Sequence, residues 1–227
     1  TLAMVQGCFG PAFFAFCVAT AVATGRFWNC PLLAENRRPG RLLFGLSLSL
    51  VALAYLQLVL GAMLRHVQPT ASVASFTMTV AIHVMTAFLL WALVGISWWQ
   101  FSRTQDGTLS RPAGWLIPLV GLQILLGVGT WVVNYGYPRI LAFVPGSGGF
   151  VVQAKGYIDS MIVTSHVATG SLILAVATML AVRCARRYHL HGRQTKKHEM
   201  DLSLPAAGRN AASGSRLRDF ELQHASS

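Results

Sequence analysis

Long apolar stretches alternate with short polar ones along most of the chain. Five apolar segments cover about residues 2–24, 42–64, 73–99, 113–134 and 157–182. At about 1.5 Å per residue, each is long enough to cross a hydrocarbon core roughly 30 Å thick. None alternates with a period of two, and backbone groups in lipid must be hydrogen-bonded internally, so helices are predicted rather than a barrel. The pattern therefore predicts an all-α, polytopic membrane bundle of five transmembrane helices.

The composition supports an embedded protein. The 227 residues are 54% hydrophobic and only 11% charged, whereas a soluble domain carries about 25% charged residues. The charges also lie between and after the apolar segments, which leaves long stretches with almost none. We therefore expect a multi-pass protein whose main surroundings are the lipid bilayer.

Lysine and arginine positions predict the orientation of the helices. The connections 25–41 and 100–112 and the segment after the last helix are rich in Arg and Lys, whereas the other side has only Arg65, Arg139 and Lys155. Basic loops stay in the cytoplasm, which predicts a cell inner membrane protein that begins outside and ends with a cytoplasmic C-terminus. The net charge of +11 is then a topology signal, and no nucleic acid partner is expected.

The chain divides into three parts on composition. Residues 1–24 are predicted to be the last helix of a truncated N-terminal half-bundle, because the first apolar segment begins at once without a basic flank. Residues 42–186 are predicted to form a four-helix half-bundle. Residues 187–227 are polar and basic, which favours a disordered cytoplasmic tail.

Two similar phrases are the most informative feature of the sequence. His83 opens the phrase HVMTAFLL and His166 opens HVATGSLI, and the helix before each carries Gln-x-x-Leu-Gly, at Gln57–Gly61 and Gln123–Gly127. Each unit is thus one helix with a glutamine and a glycine, followed by a helix with an embedded histidine. The repetition predicts that the two histidines have the same role.

The depth of the two histidines in the membrane indicates what that role is. Both histidines lie about 14 Å into helices that run in the same direction, and an ionisable residue there is costly unless it faces the interior and has a partner. Imidazole is a good axial ligand of haem iron, and the absence of a CxxCH motif excludes covalent c-type attachment. We predict a b-type haem whose iron is bound by His83 and His166, with Ala87 and Gly170 leaving room for the porphyrin edge. The alternative is that each histidine only hydrogen-bonds a neighbouring helix.

Four further residues are candidates for contact with the haem. Gln57 and Gln123 either hydrogen-bond a ligand or the haem periphery, or simply join two helices. Arg65 either pairs with a haem propionate or anchors its helix at the interface. His66 is a third candidate ligand, nearer the helix end. The outer connection, about 135–156, either covers the haem edge or docks a partner.

The motifs resemble those of the haem A synthase family of cytochrome oxidase assembly proteins, over roughly residues 1–186. The phrases that carry the resemblance are Gln57-x-x-Leu60-Gly61-Ala62-x-x-Arg65-His66, Ile82-His83, Gln123-x-x-Leu126-Gly127-x-x-Thr130 and Ser165-His166. The resemblance implies an eight-helix duplicated fold, of which this chain would be helix four plus the second four-helix half. It also implies that His83 and His166 are the paired ligands of the haem b in that half.

The resemblance implies a reaction as well, the oxidation of the haem O methyl group to the formyl group of haem A. Haem O would then be the substrate, and the partners would be the farnesyltransferase that produces it, an electron donor and a second copy of the chain. In that family the catalytic acidic residue and histidine lie in the first half. Gln6 stands where the family has a histidine, so the residues covered here are predicted to be inactive alone.

Two alternatives to the synthase stay open. One is a non-catalytic, cytochrome b-like electron carrier or quinol-linked relay, which Gln6 favours because glutamine is a poor haem ligand. The other is a permease or assembly scaffold with no haem. It would tolerate replacement of His83 and His166 without losing any chromophore.

Overall fold

The computed structural model describes residues 2–29, 40–67, 70–135 and 156–189, and all regular structure within them is helical. The helices are α1 (Leu2–Thr24), α2 (Arg26–Asn29), α3 (Gly40–Arg65), α4 (Val73–Ser102), α5 (Gly107–Tyr135) and α6 (Tyr157–Cys184), followed by a π-helical turn, Ala185–His189. All but α2 are long and apolar enough to cross a membrane. The prediction of an all-α bundle with five membrane-spanning helices is confirmed. Most of the outer connection and of the predicted tail lies outside the described residues.

The four long helices from α3 to α6 form a ring. Contacts join α3 to α4, α4 to α5, α5 to α6 and α6 back to α3, so α4 and α6 occupy opposite corners. Helix α1 packs outside this ring, against α6 and α3. One end of the ring, which we call the basic end, is where α3 and α5 begin and α4 and α6 end. It carries Arg41, Arg103, Arg111 and Arg183.

Helix α5 begins at Gly107, earlier than the residue 113 predicted from the apolar segment. Asp106 caps the helix, because its Oδ1 accepts hydrogen bonds from the Thr108 backbone N–H at 3.0 Å and from Thr108 Oγ1 at 2.7 Å. Pro112 lies inside the helix and has no N–H for the Thr108 carbonyl. Nη1 of Arg183 on α6 donates to that carbonyl at 2.8 Å. A side chain from another helix thus replaces the bond that the proline removes.

Packing is dense in only one half of the ring. In the segments 61–67, 73–89, 121–134 and 156–169, which lie away from the basic end, no residue is fully buried. The large side chains with almost no exposed surface all lie in the basic half: Leu43, Leu50, Val94, Phe101, Leu109, Leu116, Val120 and Leu180. The half that carries both histidines is therefore the loosely packed one.

A matched pair of leucines on α3 tests this packing. Leu50 is 1% exposed and Leu48 is 53% exposed. Lipid is as apolar as leucine, so truncation in a membrane loses mainly packing contacts rather than hydrophobic transfer energy. We expect Leu50→Ala to lower the free energy of unfolding by about 2 kcal/mol through the cavity it leaves, and Leu48→Ala by less than about 0.5 kcal/mol. Unfolding in mild detergent measures both, and equal losses would contradict a packed basic half.

Candidate functional site

His83 on α4 packs against a glycine and a glutamine of α3. A Cβ atom added at Gly61 would lie 3.6 Å from Cε1 of the imidazole. Nε2 of Gln57 donates to the His83 carbonyl oxygen at 2.9 Å and to Thr86 Oγ1 at 2.6 Å. The Thr86 hydroxyl donates in turn to the carbonyl of Ile82 at 2.7 Å. Gln57 therefore joins α3 to the backbone of α4 beside the histidine, and its hydrogen bonds go to the backbone and to Thr86 rather than to the ring.

His166 on α6 packs against the equivalent residues of α5. A Cβ atom at Gly127 would lie 3.2 Å from Cε1 of His166, which is tighter than an ordinary carbon–carbon contact. Here the glutamine does reach the ring, since Nε2 of Gln123 lies 3.5 Å from Nε2 of His166. Its Oε1 is buried and has no hydrogen-bond partner among the described residues. Gln123 is thus placed to orient the imidazole.

The sequence repeat is also a repeat of contacts in space. In each unit a helix carries glutamine and, one turn later, glycine, and both residues face the histidine of the next helix. An added Cβ would be in ordinary van der Waals contact with the imidazole at Gly61 and closer than that at Gly127. The two glutamines differ, however: one bonds the backbone and the other contacts the ring.

The two imidazoles stand on helices at opposite corners of the ring. His83 lies ten residues after the start of α4 and His166 nine after the start of α6, which places both about 14–15 Å along helices of the same direction. Nδ1 of each ring is buried without a hydrogen-bond partner among the described residues. Each imidazole therefore has one nitrogen whose bonding capacity is unmet.

The chemistry of the imidazole pair is compatible with a haem iron, which one nitrogen from each ring could bind. Both rings stand in the half of the bundle that side chains pack loosely. The amide O and N atoms of Gln123 exchange places when the group turns by 180°. After that turn its Oε1 would accept a hydrogen bond from Nε2 of His166, and Nδ1 of the ring would stay available. A metal that needs three protein ligands fits less well, because the described residues contain no group of three or more His, Cys, Asp or Glu side chains.

Gly170 does not leave room for a porphyrin edge, and that expectation is wrong. A Cβ atom there would lie 3.1 Å from Gln123 Nε2 and 3.3 Å from Leu58 Cδ2. The space beside Gly170 is therefore filled by side chains of α5 and α3. Its small size lets these two helices approach α6 just below the histidine level.

The remaining candidates stand apart from the imidazole pair. Arg65 and His66 are exposed at the end of α3, and neither side chain makes a hydrogen bond or ion pair with another described residue. Gln6 is exposed on α1, outside the ring. The outer connection lies outside the described residues from 136 to 155, so its predicted role at the haem edge is untested.

One residue of the site was missed by the sequence analysis. Thr86 accepts the shorter of the two Gln57 hydrogen bonds. The signal for it was present, because a threonine follows each histidine after three residues, at Thr86 and Thr169. Thr86 is therefore part of the contact that fixes α4 against α3.

No protein-family model, curated protein or solved structure matches this chain. The resemblance to the haem A synthase family consequently rests on the quoted motifs alone. Membership of that family stays a prediction.

Proposed function

We propose that this chain is a membrane haem-binding oxidoreductase component in which His83 and His166 bind the iron of a b-type haem. The observation that carries the proposal is the pair of imidazoles on diagonal helices, each with a buried, unpartnered nitrogen. A purely structural histidine would be expected to satisfy its buried nitrogens with hydrogen bonds. A bound haem would supply reversible one-electron chemistry at its iron.

The protein's own residues would position the ligands and exclude water. Gly61 and Gly127 allow each imidazole to lie close against the preceding helix. The Gln57–Thr86 contact holds α4 in register with α3 and so fixes the height of His83. Gln123 sets the rotation of the His166 ring about its axis. Apolar helices around the pair would keep the site at low polarity.

The more specific proposal is a protein of the haem A synthase type in the cell inner membrane, with a cytoplasmic C-terminus. In it this half would accept or deliver electrons while a haem O methyl group is oxidised to the formyl group of haem A. The repeated Gln–Gly–His contacts support this. The acidic side chains in the described ranges are Asp106 and Asp159, and each accepts hydrogen bonds at the start of a helix. We therefore assign the oxidation itself to no described residue.

The second candidate is a cytochrome b-like electron carrier or quinol-linked relay. It needs only the imidazole pair, and it is favoured by Gln6 because glutamine is a poor haem ligand. Expression together with a farnesyltransferase that makes haem O, followed by extraction and chromatography of the haems, separates the two. Accumulation of haem A supports the synthase, and bound haem b with no haem A supports the carrier.

The two glutamines offer a matched test of the site, because they share a motif and differ in their contacts. We expect Gln57→Leu to destabilise the protein by about 1 kcal/mol, since it removes hydrogen bonds between α3 and α4. We expect Gln123→Leu to change stability little, because a 3.5 Å contact is weak. It should instead shift the midpoint potential of the bound haem on the order of tens of millivolts. Thermal unfolding and redox titration measure the two effects, and equal potential shifts would refute the distinction.

A further inference from the structure

A second candidate site lies at the basic end, far from the histidines. It is a cavity of about 390 Å³ where α2, the start of α5 and the end of α6 meet. The volume falls in the range of about 300–1,000 Å³ typical of small-molecule sites. Its lining residues are Phe27, Gly107, Thr108, Arg111, Pro112 and Arg183. Two guanidinium groups from different helices thus share a wall with apolar side chains.

Arg183 is held in this cavity by a local defect of α5. Because Pro112 cannot bond the Thr108 carbonyl, Nη1 of Arg183 donates to it at 2.8 Å. The guanidinium also lies 5.2 Å from the centre of the Phe27 ring, within the range of a cation–π contact. Its Nε is buried and has no hydrogen-bond partner among the described residues. The side chain is therefore fixed in place with donor capacity to spare.

Arg111 is the second arginine that lines the cavity, and it immediately precedes Pro112 on α5. Its Nε lies 3.7 Å from where a Cβ atom of Gly107 would be, an ordinary van der Waals distance. Arg111 is exposed, and the described part of the chain supplies no hydrogen bond or ion pair to it. Its charge is available to a ligand.

The charge of the cavity favours an anionic ligand. Two of its lining side chains are guanidinium groups, Arg111 and Arg183, and none is acidic. The start of α5 is not itself the binding element, since Asp106 already accepts the Thr108 N–H. A phosphodiester would place its negative charge against the two guanidinium groups.

We propose that this cavity binds the headgroup of an anionic phospholipid, with Arg111 and Arg183 donating to its phosphodiester. The cavity lies at the ends of the apolar spans, and basic pockets between transmembrane helices on the cytoplasmic side bind such headgroups. The planar guanidinium donors match phosphate oxygens. Phe27 and Pro112 supply apolar surface for the glycerol and first methylene groups, which a free phosphate ion would leave uncovered. The proposal does not depend on the haem.

Lipid titration of the purified full chain tests the assignment. The delipidated protein in mild detergent is titrated with phosphatidylglycerol or with zwitterionic phosphatidylcholine, and native mass spectrometry counts the lipids bound. We expect phosphatidylglycerol to bind at least about tenfold more tightly. Arg111→Gln should weaken it about tenfold. Arg41→Gln, an exposed arginine at the same end but outside the cavity, should leave its affinity unchanged.

Three results would overturn the proposal. Equal affinities for the two lipids would show no recognition of charge. Equal losses in Arg111→Gln and Arg41→Gln would show diffuse attraction to the basic end rather than a site. Displacement of phosphatidylglycerol by millimolar inorganic phosphate would show a site for a soluble anion. Arg183→Gln also removes the bond to Thr108, so Arg111→Gln, which breaks no contact in the described structure, decides the outcome if the Arg183 variant fails to fold.

Discussion

Replacing either His83 or His166 with alanine is expected to remove the b-type α band from the reduced-minus-oxidised spectrum of the purified protein. In the proposed site each variant would lose one of the two residues that bind the iron, and no covalent bond would retain the haem. Removal of a residue that hydrogen-bonds a metal ligand typically lowers the affinity for the metal by about 10–100-fold. Loss of the ligand itself should cost at least as much, so haem content by pyridine haemochrome should fall at least about tenfold.

The control for this experiment is His66→Ala. His66 is exposed at the end of α3 and away from the imidazole pair, so its variant should keep the band. Circular dichroism of all three variants establishes that the helices persist. A wild-type protein that folds in a haem-replete host without haem would contradict the proposal. A band retained in both His83→Ala and His166→Ala would contradict it equally, because the haem would then be bound by other residues.

The second large effect is expected from Gly127→Leu. Any Cβ at this position lies 3.2 Å from Cε1 of His166, and a leucine side chain extends further into the ring. Helix α6 must then move away from α5, or the imidazole must turn away from the interior. We expect haem content to fall at least about tenfold, as for loss of the ligand, and stability to fall by about 1–3 kcal/mol through overpacking.

Two further glycine variants make this result specific. Gly45→Leu makes the same substitution on α3, where the glycine is exposed and nothing lies within 4 Å of the added Cβ. It should retain the haem content of the wild type. Gly61→Leu repeats the test on His83, where the contact is 3.6 Å, and should cost somewhat less than Gly127→Leu. If Gly127→Leu and Gly45→Leu retain the same haem, the glycine is not needed for the approach of the imidazole.

The beginning of α5 shows where reasoning from hydropathy stops. The apolar segment predicts a start at residue 113, beyond a stretch that contains Asp106, Arg111 and Pro112. The helix begins at Gly107 because Asp106 caps it and because Arg183 of α6 bonds the carbonyl that Pro112 leaves free. The sequence analysis included neither contact, and the arginine comes from a residue 75 positions away.

The two glutamines show the same limit at the site. Their identical motifs predict the same role for both glutamines, which is either a hydrogen bond to a ligand or the haem periphery or a contact that joins two helices. The structure gives Gln57 a helix-joining contact and Gln123 a contact with the imidazole. The difference arises from the neighbouring helix, because the Thr86 hydroxyl accepts a hydrogen bond from Gln57, whereas among the described residues Thr169 makes none with Gln123.

The sequence by itself determined the five membrane-spanning helices, because in lipid the backbone must satisfy its own hydrogen bonds and a long apolar segment has no alternative to a helix. It also determined that two histidines would lie at similar depth, since helix rise converts residue number into distance. The tertiary structure alone decided which helices are neighbours, and so which corners face each other. It placed the imidazoles on diagonal helices, filled the space at Gly170 with Gln123 and Leu58, and brought Arg183 to Arg111. Such contacts depend on packing between helices distant in sequence, which periodicity along one helix does not encode.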